Sequence, residues 1–157
     1  MAGGTPATVA LTAAGIRFTE HAYTHDPANR DFGMEAATAL GLDPDQVFKT
    51  LLADVDGRLV VGIVPVTSKL DLKALASAAG GKKAVMADPS VAERKTGYIV
   101  GGISPIGQKN RHVTVLDETA ELWDVVYVSG GRRGFDIGIA PADLVSVTDA
   151  VVADIAR

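Results

Sequence analysis

The sequence predicts a mixed α/β (α+β) fold in which a curved, barrel-like mixed sheet of about six strands is surrounded by helices. The first observation is that short β-rich stretches and short alanine-rich stretches follow one another without a strict β–α–β alternation. The second is that glycines lie inside several predicted strands, which favours strong curvature. The third is the length of 157 residues, which suits a single domain over 1–157.

The first elements follow from caps, chain breakers and apolar spacing. Thr5 and Pro6 are typical of an N-cap and a first helical turn, and Gly15 ends the predicted helix. Apolar and polar residues then alternate as in a strand, and a segment rich in turn formers follows. We therefore predict a strand over 16–23, a loop over 24–33, a helix over 34–41 and a short helix from 43.

The clearest predicted element is a hairpin over 49–66. Its two β-rich runs flank Asp56-Gly57, the strongest short-range signal for a tight turn between antiparallel strands. Further along, Asp71 and Asp88 are candidate helix caps. The remaining predictions are helices over 71–80 and 87–97, strands over 97–102, 112–117, 124–130 and 135–140, and one or two closing helices over 141–157.

Composition restricts the classes of function. With no cysteine, the chain excludes disulfides, cysteine zinc sites and a cysteine nucleophile. The net charge of −4 argues against coating nucleic acid by bulk charge, so any such contact needs a local basic patch. Neither a secretory signal nor a membrane span is evident, so we expect a cytoplasmic protein with no membrane partner. We expect no metal or cofactor, because no metal-ligand spacing relates His21, His25 and His112.

Lys49 begins the first strand of the hairpin, where its neighbours on the same face are apolar. One interpretation is a lysine at a strand end whose ammonium group reaches water. The other is a partly buried lysine that binds an anion. Periodicity alone leaves both interpretations open.

Asp136 shares its predicted strand face with Gly134, Gly138 and Ala140, which carry almost no side-chain bulk. This pattern suggests that a ligand can approach the carboxylate. The alternative is a solvent-facing strand residue beside small neighbours.

Two glycine-rich segments carry basic residues. The first segment contains Gly101, Gly102 and Pro105, with Lys95 before them and Lys109 and Arg111 after them. The second is the turn over 129–134, which contains Arg132 and Arg133. Such segments can bind phosphates, although the turn over 129–134 also suits a simple hairpin loop. The chain has no phosphate-binding P-loop motif, no G-x-G-x-x-G dinucleotide motif and no G-x-S-x-G hydrolase motif.

Four segments together resemble the YbaK/EbsC family, in particular its bacterial Cys-tRNA(Pro) deacylases. They are HAYTHDPANRDFG, DPDQVFKTLL, MADPSVAERKTGYIVGGISPIGQKNR and YVSGGRRGFDI, and they occur in the family's order across nearly the whole chain. The resemblance implies a barrel-like mixed sheet of about six strands wrapped by helices. It also implies removal of cysteine mischarged onto proline tRNA, with the acceptor end of that tRNA and, transiently, prolyl-tRNA synthetase as partners.

Matched by position, the resemblance implies Lys49 and Asp136 as catalytic residues. The implied substrate-binding residues are Tyr23, Phe32, Thr50, Gly101, Gly102, Ile103, Ser104, Pro105 and Ser129. The implied tRNA phosphate contacts are Lys95, Lys109, Arg111, Arg132 and Arg133.

The mechanism that we expect uses no nucleophile from the protein. The chain has no cysteine and no serine in a triad motif, so the substrate's own thiol is expected to attack its ester carbonyl, as the family resemblance implies. The alternatives are an editor for alanine or another small amino acid, and a non-catalytic module that binds aminoacyl-tRNA or a nucleotide. The fold by itself is compatible with all three.

Overall fold

Most helices begin where the sequence places a capping residue or a proline. The computed structural model describes residues 4–157. The helices in that range are α1 (Pro6–Ala13), α2 (Phe32–Leu40), α3 (Leu72–Ala78), α4 (Pro89–Thr96) and α5 (Pro141–Thr148), with 3₁₀ turns at Pro44–Gln46 and Glu118–Leu122. The side chains of Thr5, Asp71 and Asp88 accept hydrogen bonds from the first turns of α1, α3 and α4. These caps agree with the predicted helix starts.

The strands form two sheets. They are β1 (Thr19–Ala22), β2 (Phe48–Val55), β3 (Arg58–Pro65), β4 (Ala84–Met86), β5 (Val113–Asp117), β6 (Val126–Arg132), β7 (Phe135–Ile139) and β8 (Val151–Ala153). One sheet has the order β1-β7-β6, and the other has the order β4-β2-β3-β5-β8. The predicted hairpin is confirmed, since β2 pairs with β3 in antiparallel register from Phe48–Pro65 to Val55–Arg58.

The mixed α+β class is confirmed, but no closed barrel forms among residues 4–157. A single parallel bridge between Val47 and Tyr127 joins the two sheets where a barrel would need a continuous ladder. The strand glycines have another use, namely close packing. A Cβ on Gly138 would lie 2.6 Å from Thr19 Oγ1, and one on Gly130 would lie 2.4 Å from the Phe135 ring.

One predicted strand is wrong, and the prediction of one or two closing helices is confirmed only for its first part. The segment 97–102 is irregular instead of a strand, because Gly97 and Gly101 have φ angles of +81° and +89° that break an extended run. The closing segment contains one helix and then a strand. Asp149 adopts a left-handed conformation that ends α5, and β8 then pairs in parallel with β5. The sequence pattern does not predict β4, which has only three residues.

The core has two parts, one on each face of the five-stranded sheet. Alternate residues of β2 and β3 serve the two faces, as the two-residue period of a strand requires. Leu52 and Ile63 face a cluster shared with the three-stranded sheet, α1 and α5, whereas Val55 and Val60 face α3 and the C-terminal segment. Because both faces are covered, the middle strand β3 is apolar at every position after Arg58.

A buried carboxylate fastens the C-terminal segment to this sheet. Asp117, at the end of β5, is only 1% exposed. One of its oxygens accepts hydrogen bonds from the backbone N–H groups of Ile155 and Ala156, at 2.9 and 3.0 Å. The other accepts from the backbone N–H and the hydroxyl of Thr119. These four donors compensate the burial of the charge.

We expect Asp117→Ala to lower the free energy of unfolding by about 3 kcal/mol, because buried backbone donors lose their acceptor. Denaturant unfolding measures the loss. Asp154→Ala is the matched control: its carboxylate pairs with Arg157 at the surface, with a side chain 62% exposed, and should change stability by less than about 1 kcal/mol. Equal stability of the two variants would show that the buried carboxylate does not fasten the C-terminus.

Candidate functional site

A cavity of about 220 Å³ lies where the two sheets meet. Four parts of the chain line it: the start of β2, strands β6 and β7 with the residue after β1, the first turn of α2, and the irregular segment after α4. The lining residues are Tyr23, Arg30, Asp31, Phe32, Gly33, Ala36, Val47, Phe48, Lys49, Thr50, Val100, Gly101, Ile103, Ser129 and Asp136. The cavity therefore brings together residues more than 100 positions apart in the sequence.

Lys49 and Thr50 enter the cavity from the first residues of β2. Just before them, Val47 pairs with Tyr127 of β6, which holds this end of β2 against the other sheet. Lys49 is partly buried, at the second residue of β2, and lines the cavity. An ammonium group at this position can neutralise an anion inside the cavity.

The Thr50 hydroxyl has an unusual environment. Its oxygen is buried and is the one buried side-chain polar atom, among residues 4–157, that has no hydrogen-bond partner. An unsatisfied buried hydroxyl costs about 1–3 kcal/mol. Since Thr50 lines the cavity, a bound ligand can supply the missing hydrogen bond.

Asp136 lies on β7, the central strand of the three-stranded sheet, between His21 of β1 and Ser129 of β6. It is 6% exposed, and every residue of β7 is buried, so the alternative of a solvent-facing aspartate is wrong. Burial raises the pKa of the Asp136 carboxyl from its ordinary 3.8 to about 7. Near neutral pH, this carboxyl can therefore take up or release a proton.

Tyr23 follows β1 and is held by a hydrogen bond from its backbone N–H to the carbonyl of Gly134, at 2.9 Å. Its burial, and then the charges of Asp136 and Glu35, raise the pKa of the phenol to about 12. The hydroxyl of Tyr23 thus remains protonated at neutral pH and can donate a hydrogen bond in the cavity.

The first turn of α2 closes one wall. A Cβ on Gly33 would lie 2.3 Å from Val66 Cγ1 and 3.9 Å from Lys49 Cβ, so glycine lets the helix start lie against β2 and β3. Phe32 extends from the same turn toward Gly101, where a Cβ would lie 2.6 Å from the phenylalanine ring. The space beside Gly101 is therefore filled by the Phe32 ring.

Gly102, Ser104 and Pro105 lie outside the cavity lining, whereas Ile103 belongs to it. A Cβ on Gly102 would lie 2.7 Å from the backbone of Arg132, so this glycine allows the segment to pack against the β6–β7 hairpin. Ser104 is fully buried, and its hydroxyl accepts a hydrogen bond from the Ile106 N–H. These residues shape the segment that presents Gly101 and Ile103.

The basic residues separate into two groups. Lys95 lies in the last turn of α4, and Lys109 and Arg111 lie in the loop before β5. The Lys109 N–H donates to the Thr96 carbonyl, and the Asn110 amide donates to the Lys95 carbonyl, so this loop is fastened to the end of α4. None of these three basic residues lines the cavity. Arg132 stacks on Phe135, with its guanidinium carbon 4.8 Å from the ring centre.

Arg133 is the basic residue of the turn that reaches the cavity mouth. Its Nε donates to the carbonyl of Val100, at 2.9 Å, and its guanidinium carbon lies 5.0 Å from the centre of the Phe32 ring. Both Phe32 and Val100 belong to the lining. Arg133 therefore lies beside the cavity, although it is not part of the lining itself.

The sequence does not predict several of the lining residues, among them Arg30, Asp31, Gly33 and Ala36. They lie in a predicted loop and at the start of a predicted helix. Only Gly33 has a pattern that could have indicated the site, because a glycine next to the aromatic Phe32 suggests close packing at this point. Among residues 4–157, no group of three or more histidine, cysteine, aspartate or glutamate residues is arranged to hold a metal ion. In the same range, no helix has the length and apolar character needed to cross a membrane.

Comparison with known proteins connects this geometry to a chemistry. A model of the aminoacyl-tRNA editing domain matches residues 28–147. A protein of Enterococcus faecalis named as a candidate Cys-tRNA(Pro)/Cys-tRNA(Cys) deacylase, EbsC, is 38% identical over 138 residues, which cover 87% of this chain and 82% of that protein. The proline–tRNA ligase of Moorella thermoacetica is 33% identical over 73 residues, which cover 46% of this chain and 13% of the ligase.

A solved structure agrees with these matches. The crystal structure of a candidate trans-editing enzyme for prolyl-tRNA synthetase superposes with a TM-score of 0.82 at 26% identity. The superposition covers 97% of this chain and 95% of that one. The similarity thus extends over the whole fold, including both sheets.

We expect Asp136→Asn to make the protein more stable at pH 8, by on the order of 3 kcal/mol, because the buried charge is removed. The sign follows from the raised pKa. The folded protein holds the proton more tightly than the unfolded chain, so the wild type loses stability as pH rises from about 4 through about 7. Denaturant unfolding at pH 5 and pH 8 measures the difference. A gain of the same size at both pH values would contradict this account.

Proposed function

The chain belongs to the aminoacyl-tRNA editing domain family, and on that premise we propose that it removes cysteine mischarged onto proline tRNA by cleaving the aminoacyl ester. The observation that carries the proposal is the small cavity where Lys49, Thr50 and Asp136 converge, with a raised Asp136 pKa and an unpaired Thr50 hydroxyl. Polar groups that lack partners inside a cavity are typical of a site that binds and transforms a ligand.

The size of the cavity supports a small aminoacyl group as the part that is buried. Pockets for drug-sized ligands measure about 300–1,000 Å³. The cavity here is smaller, at about 220 Å³. It suits a cysteinyl or alanyl group, while the terminal adenosine would rest at the mouth, near Phe32 and Gly101.

The proposed roles follow from charge and protonation. Lys49 supplies the positive charge. It stabilises the negative oxygen that develops on the ester carbonyl, or it binds the neighbouring phosphate of the tRNA. Asp136 binds the ammonium group of the substrate or accepts the proton of its thiol. Tyr23 orients the same groups through its neutral hydroxyl. Thr50 and Ser129 complete the polar wall. Gly101 and Ile103, held in place by the rest of the segment up to Pro105, supply backbone groups for the ester carbonyl or the adenosine.

The bond that breaks is the ester between the cysteinyl carbonyl and the ribose oxygen of the tRNA. In the proposed step, Asp136 takes the proton of the substrate's thiol, and the thiolate attacks the carbonyl. The ribose oxygen leaves and receives that proton, so a four-membered thiolactone and a free ribose hydroxyl form. The ring is strained, but intramolecular attack has an effective concentration of up to about 10⁵ to 10⁸ M in well-oriented cases. Water then opens the thiolactone to release free cysteine.

The tRNA itself would be held by basic residues outside the cavity. We assign phosphate contacts to Lys95, Lys109, Arg111, Arg132 and Arg133. A protein of net charge −4 needs such local patches to bind RNA. Since the substrate is a product of the synthetase reaction, we further propose that the protein acts in the cytoplasm and meets prolyl-tRNA synthetase transiently.

The direct test is deacylation of proline tRNA charged with cysteine, alanine or proline. We expect the cysteinyl ester to be cleared fastest. Faster clearance of the alanyl ester would favour an alanine editor. Tight binding of all three without cleavage would favour a non-catalytic binding module.

We expect Lys49→Ala to lower kcat/KM for cysteinyl-tRNA by about 100-fold or more, because a preorganised charge at the reacting oxygen is lost. Lys49→Arg should also be impaired, since a planar guanidinium does not replace a compact ammonium. Lys73→Ala, which removes an exposed lysine of α3, is the matched control and should retain full activity. Full activity of Lys49→Ala, with an unchanged melting temperature, would remove Lys49 from the mechanism.

The role of the substrate thiol is tested by changing the substrate. We expect seryl-tRNA to react far more slowly than cysteinyl-tRNA, because an alcohol stays protonated and is a weak nucleophile. S-methylcysteinyl-tRNA should not react, since its sulfur cannot form the thiolate. Single-turnover deacylation with one enzyme preparation measures all three rates. If S-methylcysteinyl-tRNA is cleared as fast as cysteinyl-tRNA, the nucleophile is a bound water.

A further inference from the structure

Two arginines from different parts of the chain meet on one aromatic ring at the cavity mouth. The guanidinium carbon of Arg30 lies 5.1 Å from the centre of the Phe32 ring, and that of Arg133 lies 5.0 Å from the same centre. Arg30 belongs to the loop before α2, whereas Arg133 belongs to the turn between β6 and β7. We call Arg30, Phe32 and Arg133 the arginine clamp. A cationic group this close to an aromatic ring is held there by the ring's negative face.

Hydrogen bonds hold Arg133 and the loop that carries Arg30 in place before any ligand arrives. Arg133 is fixed by the bond from its Nε to the Val100 carbonyl. In the Arg30 loop, the Asn29 N–H donates to the Asp26 carbonyl, and the Asp31 N–H donates to the Asn29 side chain. A loop ordered in this way loses little entropy when Arg30 binds a ligand.

Glu35 of α2 fastens this loop to the helix. One of its carboxylate oxygens lies 2.6 Å from His25 Nδ1, and the other accepts from the Asp26 N–H at 2.8 Å. The side chains of His25 and Glu35 are only 15% and 8% exposed. The loop and Phe32 are therefore held against the same first turn of α2, which brings Arg30 to the ring.

Neither arginine of the clamp is neutralised by a carboxylate. Within residues 4–157, the ion pairs are those of His25 with Glu35 and of Arg157 with Asp71 and Asp154. Asp31 also lines the cavity, but it forms no ion pair with Arg30. Stacking occupies the face of a guanidinium and leaves its edge N–H groups for other partners. In Arg133 the Nε–H already bonds to Val100, and its terminal NH₂ groups match the oxygens of a phosphate.

We propose that the arginine clamp binds the phosphodiester that joins the terminal adenosine to the preceding nucleotide of the RNA. This inference rests on the proposed function, which puts the aminoacyl group in the cavity and the adenosine at its mouth. The phosphate one linkage away then lies outside the cavity, near the Phe32 ring that both arginines contact. The clamp makes the site select a polynucleotide end over a free aminoacyl nucleoside, and it assigns Arg30 as a binding residue.

The test measures binding of uncharged RNA, so it does not depend on catalysis. The probe is a fluorescein-labelled RNA hairpin with the acceptor stem and CCA end of proline tRNA, in two forms. One has normal linkages, and the other has a neutral methylphosphonate in the linkage before the terminal adenosine. Fluorescence anisotropy gives Kd for the wild type, Arg30→Ala, Arg133→Ala and the exposed control Arg17→Ala, which lies outside the cavity lining.

We expect Arg30→Ala to bind the normal RNA about tenfold more weakly than the wild type, as the loss of one charged contact implies. The wild type should bind the methylphosphonate RNA more weakly than the normal RNA by a similar factor, whereas Arg30→Ala should bind the two RNAs with nearly equal Kd. The slope of log Kd against log salt should also become shallower by about 0.7 in Arg30→Ala. Arg17→Ala should match the wild type throughout, and melting temperatures should be unchanged.

Three results would overturn the clamp: no binding of the RNA by the wild type, wild-type affinity in Arg30→Ala, or weaker binding that keeps its full sensitivity to the methylphosphonate. The last result would mean that Arg30 acts at another place. Failure of the proposed function would give a different result from failure of the clamp. The wild type would then leave the cysteinyl ester intact, and the RNA-binding measurements would still test the clamp. If the wild type cleaves the cysteinyl ester but the Arg30→Ala and Arg133→Ala variants bind the RNA with wild-type affinity, the clamp is refuted and the proposed function stands.

Discussion

The parallel bridge between Val47 and Tyr127 is the contact on which the site depends. It is the one place where the five-stranded and three-stranded sheets are joined backbone to backbone among the residues that the structure describes. Lys49 and Thr50 follow Val47 directly, and Ser129 lies two residues beyond Tyr127 on β6. Lys49, Thr50, Ser129 and Asp136 all line the cavity, so this junction brings the lysine and the hydroxyl groups near the carboxylate of the three-stranded sheet.

The cavity keeps polar groups in a state that a closed core would not tolerate. Asp136 is buried on a central strand with a pKa near 7, and the Thr50 hydroxyl lacks a hydrogen bond. Both features cost stability, and they persist because the surrounding structure is well packed. Apolar clusters cover both faces of the five-stranded sheet, and Asp117 fastens the C-terminal segment with four hydrogen bonds. The two buried aspartates thus have opposite roles, one fully bonded and one left open.

Glycine has a different purpose here from the one that its pattern suggests. Gly101 adopts a positive φ and has the Phe32 ring where a side chain would be. Gly33 and Gly102 each permit a close approach between two segments. These contacts bring Phe32 to the cavity mouth, where two arginines stack on it. Small residues therefore build the wall of the site and do not leave it empty.

Local chemistry in the sequence determined the elements that depend on neighbours along the chain. Caps and prolines predict the helix starts, Asp56-Gly57 predicts the β2–β3 hairpin, and the absence of cysteine excludes a thiol nucleophile from the protein. Motif order also identified the family and drew attention to Lys49 and Asp136. These signals are short-range, or they are carried by whole segments, so they survive without coordinates.

Only the tertiary structure decided which residues meet. Whether Asp136 faces solvent or a cavity depends on its place in the middle of a sheet, which periodicity along one strand cannot reveal. The same holds for β8, whose parallel partner β5 is more than 30 residues away, and for the single bridge that leaves the sheets unclosed. Arg30 and Arg133 are about a hundred positions apart, and one phenylalanine ring makes them neighbours. Contacts between distant segments determine the burial, the pKa and the charge pairing of a residue. The sequence pattern of one segment does not indicate which other segment it will contact.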